Sequence, residues 1–402
     1  MEFRDDFRLV WLGGVPYVLP YGQASADLQR GMRLNAGSVL LWEALEEGAT
    51  EEELLERMIA AYEPGQEDIP LLQRDLRQFL EQLGRCGILC GERAQKDLFV
   101  PFRGRTIKLL CIGGIAFALI DQGAEALSMW EFEPFVIEEY PMDQQGREQV
   151  SERADFVVTI SNRMPRRLPV GRILVRNSEL LIAENENSFL CIYPGAVGLV
   201  EWHLSKENPE AVIYGRGAYP DSMARDVFHA IRMIYLVWAQ KKGMFALHSA
   251  SLLYRGKAFL FSGHSGAGKS THTALWQKLF GTPLLNGDLN LLAREEDGPV
   301  VHGMPWCGTS GISVTETYPL GGIVFVKQYH TEQLTELSDS YRALLVLQHL
   351  ISPAWTKEMF ENNLEFAKRL AAEIPVWKLL CTKEDSAAVA MKKEIDRFWE
   401  AS

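Results

Sequence analysis

The stretch Gly263-His264-Ser265-Gly266-Ala267-Gly268-Lys269-Ser270 has the spacing GxxxxGK plus a hydroxyl, the pattern of a loop that cradles phosphates. Glycines let backbone N–H groups converge on phosphate oxygens, and a helix starting at Lys269 adds the positive end of its dipole. Lys269 supplies a point charge for the β and γ phosphates. Ser270, followed by Thr271, supplies a hydroxyl for Mg²⁺. The implied cofactors are ATP and Mg²⁺, with ATP over GTP left open. Phosphoryl transfer also needs a carboxylate near the γ-phosphate, to hold metal or to accept a proton. Asp288, in Leu284-Leu285-Asn286-Gly287-Asp288-Leu289, is the candidate for both tasks; the plainer alternative is a turn residue capping a hairpin.

These residues need elements to hold them. A strand over 256–262 runs into the loop, and a helix over 269–280 leaves it, the order that phosphate binding requires. The apolar run before Asp288 is shorter than the strand that carries the acid in standard ATPase folds. A long helix from Asp221 to about Lys242 places Val227, Ile231, Ile234 and Trp238 on one face. Between 101 and 220 short β-like runs alternate with turns, among them Ile107 to Ile112, Phe156 to Ile160, Arg172 to Val175 and Phe189 to Tyr193. Pro305 to Gly311 is a glycine-rich turn, either structural or facing an acceptor. Lys327 points to solvent or phosphate. His264 fills a variable slot of the loop and His272 lies beyond it, neither with an assigned part in the chemistry. Helices near 341–351 and 356–373, a strand Val376 to Cys381 and a helix to Trp399 carry no motif and read as packing.

At the N-terminus two apolar runs around Gly13-Gly14 predict a hairpin over 7–21. Asn35 caps a helix that turns Val39, Leu40, Trp42 and Leu45 inward. Thr50 with Glu53 forms a capping box for the next, with Leu54, Leu55, Met58 and Ile59 inward. A third helix, about 70–85, repeats Leu72, Leu76, Phe79, Leu80 and Leu83 at helical spacing, and Gly87 stops it. The polar segment 91–97 reads as a linker.

Composition bounds the rest. The chain has 402 residues, enough for two or three domains, with 53 acidic against 41 basic side chains and a net charge of -12. That balance argues against a nucleic-acid partner, which needs a basic surface. Residues 1–92 hold eight arginines and no lysine against seventeen acids, an acidic face for a basic partner or a set of solvated helix faces. Six scattered cysteines, Cys86, Cys90, Cys111, Cys191, Cys307 and Cys381, form no CxxC pair and suggest neither zinc nor a disulfide framework. No apolar run of about 18 residues and no signal-like N-terminus occurs, so the expectation is a cytoplasmic protein without membrane contact.

Two family resemblances sharpen this. The hairpin with three helices, and the stretches Leu34 to Glu43, Thr50 to Leu54, Leu80 to Leu83 and Gly87 to Leu89, resemble the PqqD-like peptide-recognition domains, relatives of the winged helix. In that family an extended leader peptide adds a strand to the hairpin. The run Leu247-His248-Ser249-Ala250-Ser251, the glycine-rich loop, Asn286-Gly287-Asp288 and His302 to Gly308 resemble the HPr kinase and phosphoenolpyruvate carboxykinase-like group. There a strand-borne histidine fifteen residues before the first loop glycine assists the catalytic Asp, a separation that His248 and Gly263 share. The resemblance implies Asp288 as general base and metal ligand, His248 as its helper and Lys269 on the phosphates; without it, His248 reads as an ordinary core histidine. It departs in carrying Gly287-Asp288 where HPr kinases have two aspartates, which counts against the reverse, phosphorylase reaction. No basic loop for HPr and no basic cluster for a dicarboxylic acid is evident.

The expected architecture is therefore α/β, an α+β multidomain chain. It comprises a winged-helix, PqqD-like domain over 1–92, a strand-rich lobe over 101–220 and a P-loop, HPr kinase-like catalytic domain over 221–402. The expected function is an ATP-dependent kinase acting on a Ser or Thr of a ribosomally made precursor peptide whose leader binds residues 1–92. A kinase for a small metabolite or another protein, and a nucleotide-gated peptide-binding scaffold without transfer, stay open. HPr kinases assemble into rings, so the resemblance implies a homo-oligomer that nothing in the sequence requires.

Overall fold

The computed structural model describes residues 2–3, 7–21, 31–85, 88–90, 106–122, 129–161, 165, 171–194, 196, 198–215, 220–264 and 266–401. Ser265, the Gly87 stop, Cys86 and the linker expected at 91–97 lie outside these.

A short strand β1 (Glu2–Phe3) opens the chain. The apolar runs beside Gly13-Gly14 pair as antiparallel β2 (Phe7–Leu12) and β3 (Val15–Pro20), and β4 (Met32–Arg33) pairs with β3. Helix α1 (Ala36–Glu46) starts at Asn35, whose side chain accepts from the Ser38 N–H. Helix α2 (Glu51–Tyr62) carries the Thr50/Glu53 capping box, and α3 (Ile69–Arg85) follows, with β5 (Leu89–Cys90) returning to β1. In α1 it is Leu41, not Leu40, that is fully inside. The buried face is wider than the periodic stripe, because Leu41 and Ala44 flank the line Val39, Trp42, Leu45. These elements close a core of their own around Trp42, Leu54 and Leu83, to which no described residue beyond 89 contributes.

The chain then builds a nine-stranded sheet from β6 (Thr106–Ile112), β7 (Ile115–Asp121), β8 (Val136–Pro141), β9 (Phe156–Ser161), β10 (Arg172–Arg176), β11 (Leu181–Glu184), β12 (Ser188–Ile192), β13 (Leu199–Ser205) and β14 (Glu210–Gly215). Their spatial order is β10-β11-β12-β13-β14-β9-β7-β6-β8, with β9 parallel to both neighbours and the other pairs antiparallel. Helix α4 (Gln144–Arg153) leads into β9. Helix α5 (Pro220–Lys241) starts one residue before the expected Asp221 and lays Val227, Ile231, Ile234 and Tyr235 in one core with Phe117, Phe156 and Trp202. That core runs on into Leu289, Leu291, Met304 and Trp306, so it spans residues on both sides of 220.

The remaining strands are β15 (Phe245–Tyr254), β16 (Lys257–Ser262), β17 (Leu284–Asn286), β18 (Leu289–Glu295), β19 (Gly298–His302), β20 (Thr317–Gln328), β21 (Gln333–Thr335) and β22 (Val376–Cys381). Strand β20 pairs first with β19, then lies parallel between β16 and β22. Around them pack α6 (Lys269–Phe280), α7 (Asp339–His349), α8 (Lys357–Glu373) and α9 (Asp385–Ala401). The chain is thus a mixed α/β structure with several sheets. Among the described residues no helix is long and apolar enough to cross a membrane.

Candidate functional site

Strand β15 is the spine of the site. On one side it pairs with β16, Ser249 opposite Ser262; on the other it pairs with β17 and β18, Ser251 opposite Asn286 and His248 opposite Leu289. The glycine-rich loop after β16 and the turn joining β17 to β18 therefore leave the sheet at one end, on either flank of His248. Residues 248, 263–264, 266–270 and 288, far apart in sequence, converge through this register.

The loop is held tightly. A Cβ on Gly263 would lie 2.7 Å from the Val326 carbonyl oxygen, so only glycine fits where β16 meets β20. Gln328, at the end of β20, donates to the Gly266 carbonyl at 2.6 Å. Lys269 Nζ donates to the carbonyls of Gly263 (3.1 Å) and His264 (3.4 Å), so its charge sits over the loop. Ser270 and Thr271 are exposed in the first turn of α6, and the His264 ring lies 5.3 Å from that of His349.

Asn286, rather than Asp288, caps the β17–β18 turn. Its Oδ1 accepts from the N–H groups of Asp288 (2.9 Å) and Leu289 (3.0 Å), and its Nδ2 donates to the Met304 carbonyl. The Ser249 N–H donates to the Asp288 carbonyl at 2.9 Å. The Asp288 backbone is fixed this way and its carboxylate is left over: Oδ1 lies 3.5 Å from His248 Nδ1. Beneath, Asn290 donates to the Ser249 carbonyl and Oγ and accepts from Ser251 Oγ, while Ser262 Oγ donates to the His248 carbonyl. Every member of this buried network is paired, the condition under which buried polar groups confer a defined geometry instead of a penalty.

The 305–311 turn lies against Asp288. It forms a short 3₁₀ turn, and a Cβ on Gly308 would come within 2.9 Å of Asp288 Cβ. Conversely a Cβ on Gly287 would overlap the Ser310 side chain and meet the Cys307 carbonyl oxygen at 3.0 Å. A second aspartate at 287 would have to displace the Ser310 side chain, a local pressure in line with the departure noted in the sequence.

The charges around Asp288 come from three elements. Burial lowers the His248 pKa below the ordinary value, the Lys269 ammonium pushes it the same way, and Asp288 opposes both. Burial also lowers Lys269 and Arg232, in each case opposed by Asp288. His229 is lowered by burial and then by Arg232, with Asp226 and Asp288 opposing. Arg232 and His229 escaped notice in the sequence because α5 reads as a core helix; a polar line at 225, 229 and 232 has the same i, i+4, i+7 spacing as its apolar one. Asn290, Gln328 and His349 were likewise invisible and Asn286 was read only as part of the Asn-Gly-Asp run, since tertiary contacts alone bring these side chains to the site.

Other candidates fall elsewhere. His272 is buried on the inner face of α6, stacked 4.8 Å from Phe261, and Lys327 is exposed. Among the described residues no group of three or more His, Cys, Asp or Glu is arranged to hold a metal ion. A cavity of about 950 Å³ lies away from the loop, between β12, the end of α5 and α8. Most of its basic lining is already paired: Arg172 and Lys206 with Glu184, Arg294 with Glu373, Arg369 with Glu365.

With this geometry in hand, comparison with known proteins adds one firm point. Residues 25–89 match the family model of Coenzyme PQQ synthesis protein D (PqqD). The match covers α1 to α3 and leaves the β2–β3 hairpin outside its bounds. No curated protein matches the chain. Among solved structures, the Hpr(Ser) kinase/phosphatase from Coxiella burnetii is similar at 9% identity, over 39% of this chain and 95% of that one, with a TM-score of 0.22. So slight a likeness carries no argument.

Proposed function

We propose that this protein is an ATP-dependent kinase that phosphorylates a Ser or Thr hydroxyl of a ribosomally synthesised precursor peptide. Residues 1–92 hold the leader, and the chemistry belongs to the 221–402 unit, with 101–220 as its strand-rich lobe. The observation that carries this is the meeting of His248 and Asp288 beside the Lys269 loop, in a chain whose N-terminal part matches PqqD.

ATP with Mg²⁺ would supply the γ-phosphoryl group and the metal's charge. The residues fit that pair: the glycine-rich loop opens onto exposed Ser270, and among the described residues Lys269 Nζ donates only to the loop carbonyls of Gly263 and His264. Ser270 and Asp288 would hold the metal, a small number of protein ligands that suits Mg²⁺. Asp288 accepts the proton of the acceptor hydroxyl. His248, kept neutral near pH 7 by burial and by Lys269, presents Nδ1 to that carboxylate and orients it. Holding the leader raises the local concentration of the modified segment at the loop.

The test is to incubate the full chain with Mg-ATP and the precursor peptide encoded beside it, with and without the leader, and to weigh the peptide. A gain of one phosphoryl group only with the leader supports the proposal. No gain in any peptide sinks it, and equal gain without the leader removes residues 1–92 from recognition.

A further inference from the structure

We infer that Arg232, with His229 one turn before it on α5, forms an anion-binding subsite on the acceptor side of Asp288, so that the hydroxyl phosphorylated lies beside an acidic group of the same peptide. The inference rests on the kinase reading for the word acceptor, but the subsite itself stands on geometry.

Phe228, Arg232 and Tyr235 occupy i, i+4 and i+7 of α5 and share one face. The two rings sit 5.8 and 5.5 Å from Trp306, whose Nε1 donates to the Phe228 carbonyl. Trp306 lies in the turn whose Gly308 packs on Asp288. Arg232 is therefore held between two anchors toward Asp288, from a different element than the loop-bound Lys269. Among the described residues the groups that favour its charge are Asp288 and Tyr193, while His229 and His248 also feel it, and the Tyr193 hydroxyl already accepts from Trp202 Nε1.

Arg232, half-buried, has no hydrogen-bond partner and no carboxylate within 4.0 Å among the described residues. Its five N–H donors stay accessible in the cleft and no described protein group takes them up. An unpaired fork beside the candidate base is free to hold an anionic group of a ligand. The planar fork selects carboxylate or phosphate. Asp288 cannot be its permanent partner and still accept a proton. The donor phosphates have the loop amides, Lys269 and Ser270, which leaves the fork for the acceptor.

The experiment measures binding of short synthetic peptides to the full chain loaded with Mg²⁺ and a non-hydrolysable ATP analogue. One peptide has Ser followed by Glu, one Ser followed by Gln, and one Ser followed by phosphoserine. The wild-type protein is expected to bind at least one acidic peptide about tenfold or more tightly than the Gln peptide; whichever acid wins names the source of the anion. Arg232→Gln is expected to erase the preference with nucleotide affinity unchanged, and Arg232→Lys to restore part of it. Equal binding of all three peptides by the wild type, or an Arg232→Gln protein that loses the nucleotide instead, overturns the subsite. The ligand-free Arg232→Gln protein should melt no lower than wild type, since the change removes an unpaired charge; a lower melting point would show a structural partner and also count against it. Binding needs no transfer, so a peptide preference without phosphorylation would sink the kinase reading and leave the subsite standing.

Discussion

The front and the back of β16 are both buried and both contain polar side chains, and they differ in whether those groups are answered. At the front Ser249, Ser251, Ser262, Asn286 and Asn290 form a closed set of hydrogen bonds that ends on the Asp288 turn. At the back α6 presses His272 and Trp276 onto Phe261, and neither ring nitrogen of His272 nor the Trp276 Nε1 finds a partner. Both regions hold a histidine with a lowered pKa, but the shared direction has two meanings. His248 is lowered next to a carboxylate and a lysine it can work with; His272 is lowered by burial alone in a region of rings. A perturbed histidine points to chemistry only when something faces it.

The largest effect that would break this comparison is on Asp288. Asp288→Asn keeps the turn, because Asn286 builds it, and removes only the carboxylate. Single-turnover transfer is expected to fall about 10²- to 10⁴-fold with nucleotide binding retained. Undiminished transfer would mean that the front network holds nothing catalytic.

The next effect is on stability at the back. The His272 pKa is lowered to about 4 in the folded protein against an ordinary value of 6.5. The unfolded chain takes up that proton first as pH falls, so stability is full above 6.5 and is lost as pH drops from 6.5 toward 4. The total from this residue is about 3 kcal/mol. In urea titrations across that window, His272→Phe should remove this part of the acid sensitivity and leave transfer at neutral pH intact. An unchanged slope would show that the ring is not the buried neutral group described.

Asn290→Ala comes third. It strands Ser251 Oγ and leaves the Ser249 carbonyl and hydroxyl without their donor, an expected loss of about 2 kcal/mol by denaturant midpoint, with a fall in transfer as the Asp288 turn loosens. A variant as stable as wild type would reduce the front to the condition of the back.

How much of this was legible in the sequence follows the distance over which each feature is decided. The strand expected over 256–262 and the helix expected over 269–280 are local, and the structure has them at 257–262, one residue later at its start, and at 269–280. The Asn35 cap, the Thr50/Glu53 box and the Gly13-Gly14 hairpin are local too. The approach of His248 to Asp288 was available only through a family resemblance, because it depends on β15 pairing with β16 on one edge and with β17 and β18 on the other. No local rule distinguishes Asn286 from Asp288 as the residue that caps the turn, since both side chains do so readily. Arg232 was hidden by its own helix: its apolar neighbours satisfy the core pattern so well that the polar line beside them looks like a solvent face. The insertion of β9 in parallel between β14 and β7 is equally nonlocal.

The smallest expected effect probes how closely the front is packed. Gly287→Asp would supply the second carboxylate of the HPr kinase pattern, but its Cβ enters the space of Ser310 and approaches the Cys307 carbonyl. Because Ser310 lies in a short exposed 3₁₀ turn, that turn can give way, and the cost is expected near 1 kcal/mol instead of the several of a rigid core. Ser310→Gly in the same chain should return most of it, read as a midpoint shift in urea. Full tolerance of Gly287→Asp alone would mean that the 305–311 turn does not press on Asp288, and that the front owes its geometry to the asparagine and serine network alone.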